Sequence, residues 1–226
     1  MTNDRREQAS RLLLLNKECS IMFNMTHYLR FSIYKNDLVI IDINNDEYFI
    51  MNDVNHENIS LLTDVEEELL AAGLIQSLTP IGGDNENFYD ERWLPRKAIL
   101  RKINPVLLLM VYSIFVKCKK NLDSNGYYGV IYSLQNVKKN HRWDKYSPGD
   151  IINCLNFIMP FKHCENPCLI YSYALVTMLK KATGKGTLVV GVRTRPFISH
   201  AWVELDGEII SDNIYLRDKL SVIMEV

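Results

Sequence analysis

The sequence lacks the features that mark membrane proteins, exported proteins and nucleic-acid-binding proteins. No stretch approaches the ~20 consecutive apolar residues of a membrane-spanning helix, and the most apolar run, 103–116, fits a buried helix. The first residues carry mixed charge before a short leucine patch, unlike a secretory signal. Lysine and arginine (26) nearly balance aspartate and glutamate (27), which leaves no basic footprint for nucleic acid. We expect no membrane span and no nucleic-acid partner.

Cysteines are few and show no framework spacing. The five of them are Cys19, Cys118, Cys154, Cys164 and Cys168. An odd, irregular set suits a reducing compartment, so we expect a cytoplasmic protein with free thiols. His163 and Cys164 precede Cys168 closely, but without a second ligand pair they are a weak zinc signal. We expect no metal site.

The front of the chain predicts a small antiparallel sheet. Three strand-like runs, Tyr28 to Tyr34, Leu38 to Asp42 and Tyr48 to Met51, are separated by polar turns. Residues 55–70 then show helical spacing, which Gly73 closes. We expect three strands followed by short helices.

A helix start surrounds Cys168. Asn166 is a candidate N-cap, Pro167 suits the first helical position, and a helix-compatible run continues to Lys181. Cys168 therefore falls in the first turn, where unpaired N–H groups and the helix dipole favour a thiolate. Upstream, 97–121 is predicted to form one or two helices, with Pro105 as the possible division.

A β-hairpin follows this helix. After a strand at 187–193, a second strand at 198–204 leads through the Asp206-Gly207 turn into a third at 208–212. Pairing around that turn sets Glu204 or Val203 opposite Ile209, so His200 and Asp212 come close together on neighbouring strands.

Cys168, His200 and Asp212 can each be read without any catalytic role. The cysteine could be a small buried apolar residue, the histidine a core residue and the aspartate a turn residue. Their order, a cysteine at a helix start, a histidine in a strand and an acid one hairpin later, is typical of transglutaminase-like and papain-like thiol hydrolases. Asp206 is the rival acid, but it better fits the Asp-Gly turn.

Longer segments resemble one family. Residues 168–175, 190–204 and 217–223 are similar to the leader peptidases, or B proteins, of lasso-peptide biosynthesis, and the likeness extends through 90–95 to about Met25. The resemblance implies an α+β fold, in which a PqqD-like element of winged-helix type precedes a transglutaminase-like or papain-like domain. It also implies a Cys-His-Asp catalytic triad, here Cys168, His200 and Asp212.

The resemblance and the composition together predict the domain organisation. It consists of an N-terminal extension (1–24), a leader-recognition domain (25–80), a linker (81–96) and a cysteine peptidase domain (97–226). The extension lies outside the resemblance, so Met25 is a possible alternative start.

An exposed sheet edge in the recognition domain would bind the leader. An extended peptide adds to such an edge through backbone hydrogen bonds, and side-chain pockets set its preference. We expect the third strand to be this edge, with Tyr48, Phe49, Ile50 and Met51 as leader-binding residues. The alternative is a folding module without a ligand.

The family's activity is removal of a leader peptide from a ribosomally made lasso precursor. A partner cyclase resembling asparagine synthetase then uses ATP to close the core. The present chain has no Gly-rich phosphate loop, so we expect no directly bound cofactor and assign any ATP to the cyclase or the complex. Two alternatives remain: a non-catalytic leader-binding adaptor, and a transglutaminase or deamidase with the same triad.

The oxyanion of the peptidase reaction would need hydrogen-bond donors. The backbone N–H of Cys168 is one candidate, and Asn153, Asn156 and Asn166 are candidate side-chain donors.

Overall fold

The fold is α+β, as predicted, with two antiparallel sheets and a group of helices. The structure, a computed structural model, describes residues 28–54, 98–100, 103–161 and 166–226. Several predicted features lie outside the described residues: the extension 1–24, the helical part of the recognition domain at 55–80, the linker 81–96, and His163 with Cys164.

The first sheet has three strands in the order β1-β2-β3. They are β1 (Leu29–Tyr34), β2 (Asp37–Asp42) and β3 (Glu47–Met51), which confirms the predicted strands to within one residue at each end. Among the described strands, β3 pairs only with β2, so its other side is an edge.

The two faces of this sheet belong to different apolar clusters. Val39 and Ile41 of β2 join the main core, which also contains the helices. Leu38 and Ile40 face the other way and pack with Ile33 in a small separate cluster. The sheet therefore shares one core with the rest of the protein, because side chains alternate between faces.

The first helix, α1 (Pro105–Gln135), begins where the sequence suggested a division. Asn104 accepts hydrogen bonds from the N–H groups of Val106 and Leu107, and Pro105 takes a first-turn position. Proline fits this first turn because its missing N–H costs nothing there, and residues 97, 101 and 102 of the predicted helical stretch lie outside the described residues. The helix is interrupted at Gly126, which has φ 53° and ψ −148°.

Two further helices complete the α layer. Ser147 and Asp150 form a capping box at the start of α2 (Pro148–Ile158). The next helix, α3 (Pro167–Thr183), is buried along most of its length and ends at Gly184, whose φ of 79° suits glycine. Cys168 thus lies in the first turn of a helix that runs through the core.

The second sheet has four antiparallel strands in the order β6-β5-β4-β7. Its elements are β4 (Thr187–Arg193), β5 (Ile198–Leu205), β6 (Glu208–Ile209) and β7 (Ser221–Glu225), with the short helix α4 (Leu216–Lys219) before β7. Glu204 pairs with Ile209, one of the two registers that the sequence allowed. The predicted strand over 208–212 was too long, because the pairing ends at Ile209.

Polar contacts fix the small sheet to the second sheet. Ser32 Oγ lies 2.6 Å from Ser221 Oγ, which in turn donates to the carbonyl of Ile33. Asp37 of β2 accepts hydrogen bonds from Thr194 and Arg195 in the β4–β5 loop. Among the described helices, none is long and apolar enough to cross a membrane.

Candidate active site

Cys168 is half-buried at the start of α3. Backbone hydrogen bonds from Leu169 and Ala201 reach its sulfur, the first from its own helix and the second from β5. Asn166 precedes the helix as predicted, but its side chain makes no capping bond. The first-turn N–H groups are therefore left without that cap, in the place where a thiolate gains from them.

His200 lies buried in β5, between Cys168 and Asp212. Its Nε2 is 2.7 Å from Asp212 Oδ2, and the imidazole also hydrogen-bonds with the side chain of Cys168. Because Asp212 occupies Nε2, Nδ1 is the ring nitrogen left to face the thiol. The structure thus brings the three predicted residues into one chain of side-chain contacts.

Asp212 reaches His200 from a bend beyond the hairpin and not from a strand. Ser211 Oγ accepts a hydrogen bond of 2.9 Å from the N–H of Val203, which takes the place of further strand pairing. Asp212 Oδ1 accepts from the N–H of Asn213 at 2.7 Å, which orients the carboxylate. The rival acid, Asp206, lies in the turn and binds Lys185 at 2.6 Å.

The surroundings favour a thiolate and an imidazolium. Burial opposes charge on Cys168, but the hydrogen bond and charge of His200, with the two backbone N–H groups, lower the pKa of the thiol below its ordinary value. Burial likewise opposes charge on His200, yet Asp212 and Cys168 raise the pKa of the imidazole to about 9. Both shifts therefore act in the direction that favours an ion pair between the Cys168 thiolate and the His200 imidazolium.

A column of side chains on one face of β5 supports His200. The ring of Trp202 stacks beside it with centroids 6.4 Å apart, and Trp202 Nε1 donates to Glu204 at 2.8 Å. Arg217 donates twice to Glu204, at 2.8 and 2.9 Å. These contacts hold both rings in place.

Three hydroxyl groups lie near the cysteine, and two of them belong to residues that the sequence did not predict as site residues. Tyr48 of β3 has its hydroxyl 2.9 Å from both Tyr127 Oη and Ser199 Oγ. Tyr48 was predicted only as a leader-binding residue, and no local pattern marks Tyr127 or Ser199. The contacts join positions 79 and 151 residues apart in the chain, which sequence spacing cannot show.

The other predicted leader-binding residues lie on β3 as expected. Phe49 and Met51 pack in the small separate cluster, on the face away from the main core, and Ile50 is half-buried on the edge strand. The structure places all four on the sheet edge.

The asparagine candidates for an oxyanion donor are differently placed. Asn153 is engaged with both backbone groups of Ile99, and the buried Asn156 accepts from the hydroxyl of Tyr171 at 2.7 Å. Asn166 is exposed at the start of α3.

Within the described residues, no group of three or more histidine, cysteine or acidic side chains could hold a metal ion.

Comparison with known proteins shows which family the chain resembles. Residues 129–225 match a family model described as the transglutaminase-like superfamily, a span that includes Cys168, His200 and Asp212. The chain is 32% identical over 207 residues to the microcin J25-processing protein McjB of Escherichia coli, covering 85% of this chain and 96% of that protein. The chain belongs to the McjB family. The family predicted from the sequence is thus confirmed, and because the match covers most of both chains, membership extends beyond the transglutaminase-like part. No solved structure matches significantly.

Proposed function

We propose that this protein is a cysteine peptidase of lasso-peptide maturation, which binds the leader of a ribosomally made precursor and cleaves the leader–core bond. The observation that carries the proposal is the contact chain from Cys168 through His200 to Asp212. The McjB relative, which is named for processing microcin J25, supports the precursor as substrate class.

The proposed reaction follows the usual steps of thiol hydrolases. The Cys168 thiolate attacks the scissile carbonyl, and protonated His200 gives its proton to the leaving amine of the core. Asp212 keeps the imidazole oriented and stabilises its positive charge. Water, deprotonated by His200, then hydrolyses the thioester and releases the leader acid. The backbone N–H of Cys168, at a helix start, is our candidate donor to the oxyanion.

The proposed leader site is the free edge of β3. Its backbone groups on that side pair with no other described strand, and an extended peptide can add there as a fourth strand. Tyr48, Phe49, Ile50 and Met51 would flank the added strand. The freed core amine would pass to a partner cyclase resembling asparagine synthetase, which supplies the ATP-dependent step.

The test is precursor cleavage followed by mass spectrometry, with and without the partner cyclase. We expect the wild-type protein to cut one leader–core bond and Cys168→Ala to leave the precursor intact while still binding the leader. Cys154→Ala is the matched control, because Cys154 is a buried free thiol on α2 that is influenced by Asn104 and Asp150 and not by His200, and it should retain cleavage.

Two results would contradict the proposal. Unchanged precursor mass with tight leader binding in every variant would indicate an adaptor. Release of ammonia without backbone cleavage would indicate a deamidase or transglutaminase.

A further inference from the structure

Tyr48 connects the proposed leader edge to the peptidase half of the molecule. It is a residue of β3, and its side chain packs against the main core and not in the separate cluster with Phe49. Its hydroxyl lies 2.9 Å from Ser199 Oγ, across 151 residues of chain. A single side chain therefore bridges the edge strand and β5.

The bridge is packed as well as hydrogen-bonded. The ring of Tyr48 lies 5.1 Å from that of Phe197 and meets the ring of Tyr127 edge-on at 6.5 Å. Tyr127 is held by its own backbone N–H, which donates to Asp46 at 2.8 Å, in the turn that leads into β3. Three side chains that meet Tyr48 thus restrict its position, and one of the residues is tied back to the small sheet.

The hydroxyls of Tyr48, Tyr127 and Ser199, here called the hydroxyl cluster, lie beside the catalytic pair. Ser199 directly precedes His200 in β5. Burial is the main cause that raises the pKa of both tyrosines, and the negative charge of Cys168 makes a smaller contribution in the same direction. Both tyrosines stay protonated at neutral pH, so the cluster can hold Ser199 by hydrogen bonds.

We propose that Tyr48 is a positioning residue through which a leader strand on β3 sets His200 for catalysis. A leader strand added to β3 would restrict the motion of β3. Because the hydroxyl of Tyr48 is hydrogen-bonded to Ser199, the position of Ser199 would be restricted as well, and His200 is the next residue in the same strand. The leader is then an activator as well as a binding handle, a coupling between two sites in the ordinary thermodynamic sense. The inference rests on the proposed function and names its regulation.

The experiment separates the leader from the bond that is cut. The substrate is a short peptide spanning the leader–core junction, and a leader segment lacking the junction residues is supplied as a second peptide. We measure kcat and KM at saturating segment and without it, for the wild type, Tyr48→Phe and Tyr132→Phe. Tyr132 is an exposed tyrosine of α1 and serves as the matched control.

The expected result is a rise in wild-type kcat of about 3- to 10-fold on adding the segment, the size of one hydrogen bond. The activation ratio is kcat with the segment divided by kcat without it. In Tyr48→Phe the activation ratio falls towards one even at saturating segment, whereas Tyr132→Phe keeps the wild-type value. A merely structural loss would weaken segment binding, and saturation would then restore the ratio.

Ser199→Ala removes the same link from the other side. We expect its ratio also to fall towards one, and the double variant to show no further loss, because both changes break one contact. This variant also keeps the test decisive if Tyr48→Phe folds poorly.

The coupling would be overturned if the activation ratio of the wild type were one, or if Tyr48→Phe and Ser199→Ala both kept the activation ratio of the wild type. Cleavage of the full-length precursor would still support the peptidase in either case. Failure of the wild type to cleave the full-length precursor would overturn the proposed function and the coupling with it.

Discussion

Gly191 lies directly opposite His200 in the β4–β5 pair, where a side chain has no room. A Cβ there would come 2.7 Å from the ring of Trp202 and 2.8 Å from Leu220. We expect Gly191→Ala to cost about 1–3 kcal/mol in unfolding free energy, the range for overpacked cores. It should also slow precursor cleavage, since Trp202 stacks on His200.

Urea unfolding and cleavage rates measure both effects. Gly149→Ala is the control, because its added Cβ would meet nothing closer than 3.7 Å, in the first turn of α2. Equal stability of the two variants would show that β4 and β5 adjust without cost.

The state of Cys168 can be read from its reactivity. Because His200 lowers the pKa of the thiol, we expect iodoacetamide to alkylate Cys168 at pH 7 roughly tenfold faster in the wild type than in His200→Ala. Peptide mass spectrometry gives the rate at each cysteine. Cys118 is an internal control, since burial raises its pKa to about 11 and it should stay unreactive at this pH. Equal rates at Cys168 in the two proteins would argue against the ion pair.

At the residue scale the sequence was most informative where the signal is local. The helix start at Pro167 and the Asp206-Gly207 turn both depend on the backbone preferences of a few adjacent residues, and the structure has both. The capping bond from Asn166 was expected on the same ground and is absent. Residue type alone does not decide where such a side chain points.

The hairpin of β5 and β6 decides which acid meets His200. Asp212 helps to raise the pKa of His200 to about 9, against the effect of burial, whereas Asp206 contacts Lys185 in the exposed turn. We expect Asp212→Asn to lower kcat by about one order of magnitude, since an amide can still orient the imidazole as in Cys-His-Asn hydrolases.

The same substitution should change the pH dependence. Because the pKa of His200 is raised, the stabilisation from its charged form is fully present below about pH 6.5 and is lost as the pH rises through about 9, where the imidazole loses its proton. In Asp212→Asn the alkaline limb of the cleavage rate should therefore move to lower pH. Asp206→Asn, which tolerates the positive φ of that position, should leave the limb unchanged. A shift in Asp206→Asn alone would reverse the assignment of the acid.

Element lengths were harder to predict than element types. The strand pattern at 208–212 continues past Ile209, but the Ser211 hydroxyl takes the N–H of Val203, and pairing stops. Helix α1 runs past Asn121 to Gln135, with an interruption at Gly126. A Cβ at Gly126 would lie 1.9 Å from Asp46, in the turn before β3, so the need for glycine at this interruption comes from a distant part of the chain.

At the scale of the whole molecule, the buried Asp37 links the small sheet to the loop between β4 and β5 of the second sheet. Its carboxylate accepts from Thr194 and from both Nε and Nη2 of Arg195, the latter at 3.1 and 2.8 Å. We expect Asp37→Asn to lower the unfolding free energy at pH 7 by about 1–3 kcal/mol, as for hydrogen bonds to charged groups. Urea unfolding measures the change.

The pH dependence of that change follows from the shift in pKa. Burial raises the pKa of Asp37, but Thr194, the backbone of Asp53 and Arg195 together hold it below the ordinary value. Its contribution is therefore present above about pH 4 and is lost as the pH falls through the lowered pKa, so the difference between the variant and the wild type should shrink progressively below about pH 4. Asp123→Asn, an exposed partner of Lys119, should change stability by less than about 0.5 kcal/mol. If the difference in unfolding free energy between Asp37→Asn and the wild type were the same at pH 7 and pH 3, the charged form of Asp37 would not be the form that stabilises the fold.

The sequence by itself determined the α+β class, the three strands of the small sheet, the helix that begins at Pro167, the Asp206-Gly207 hairpin turn and the family. Each follows from local preferences or from long similar segments. Only the tertiary structure decided that Tyr48 meets Ser199 and that Asp37 holds the two sheets together. These contacts join elements far apart in the chain, and packing places such elements against each other in a way that no local pattern records.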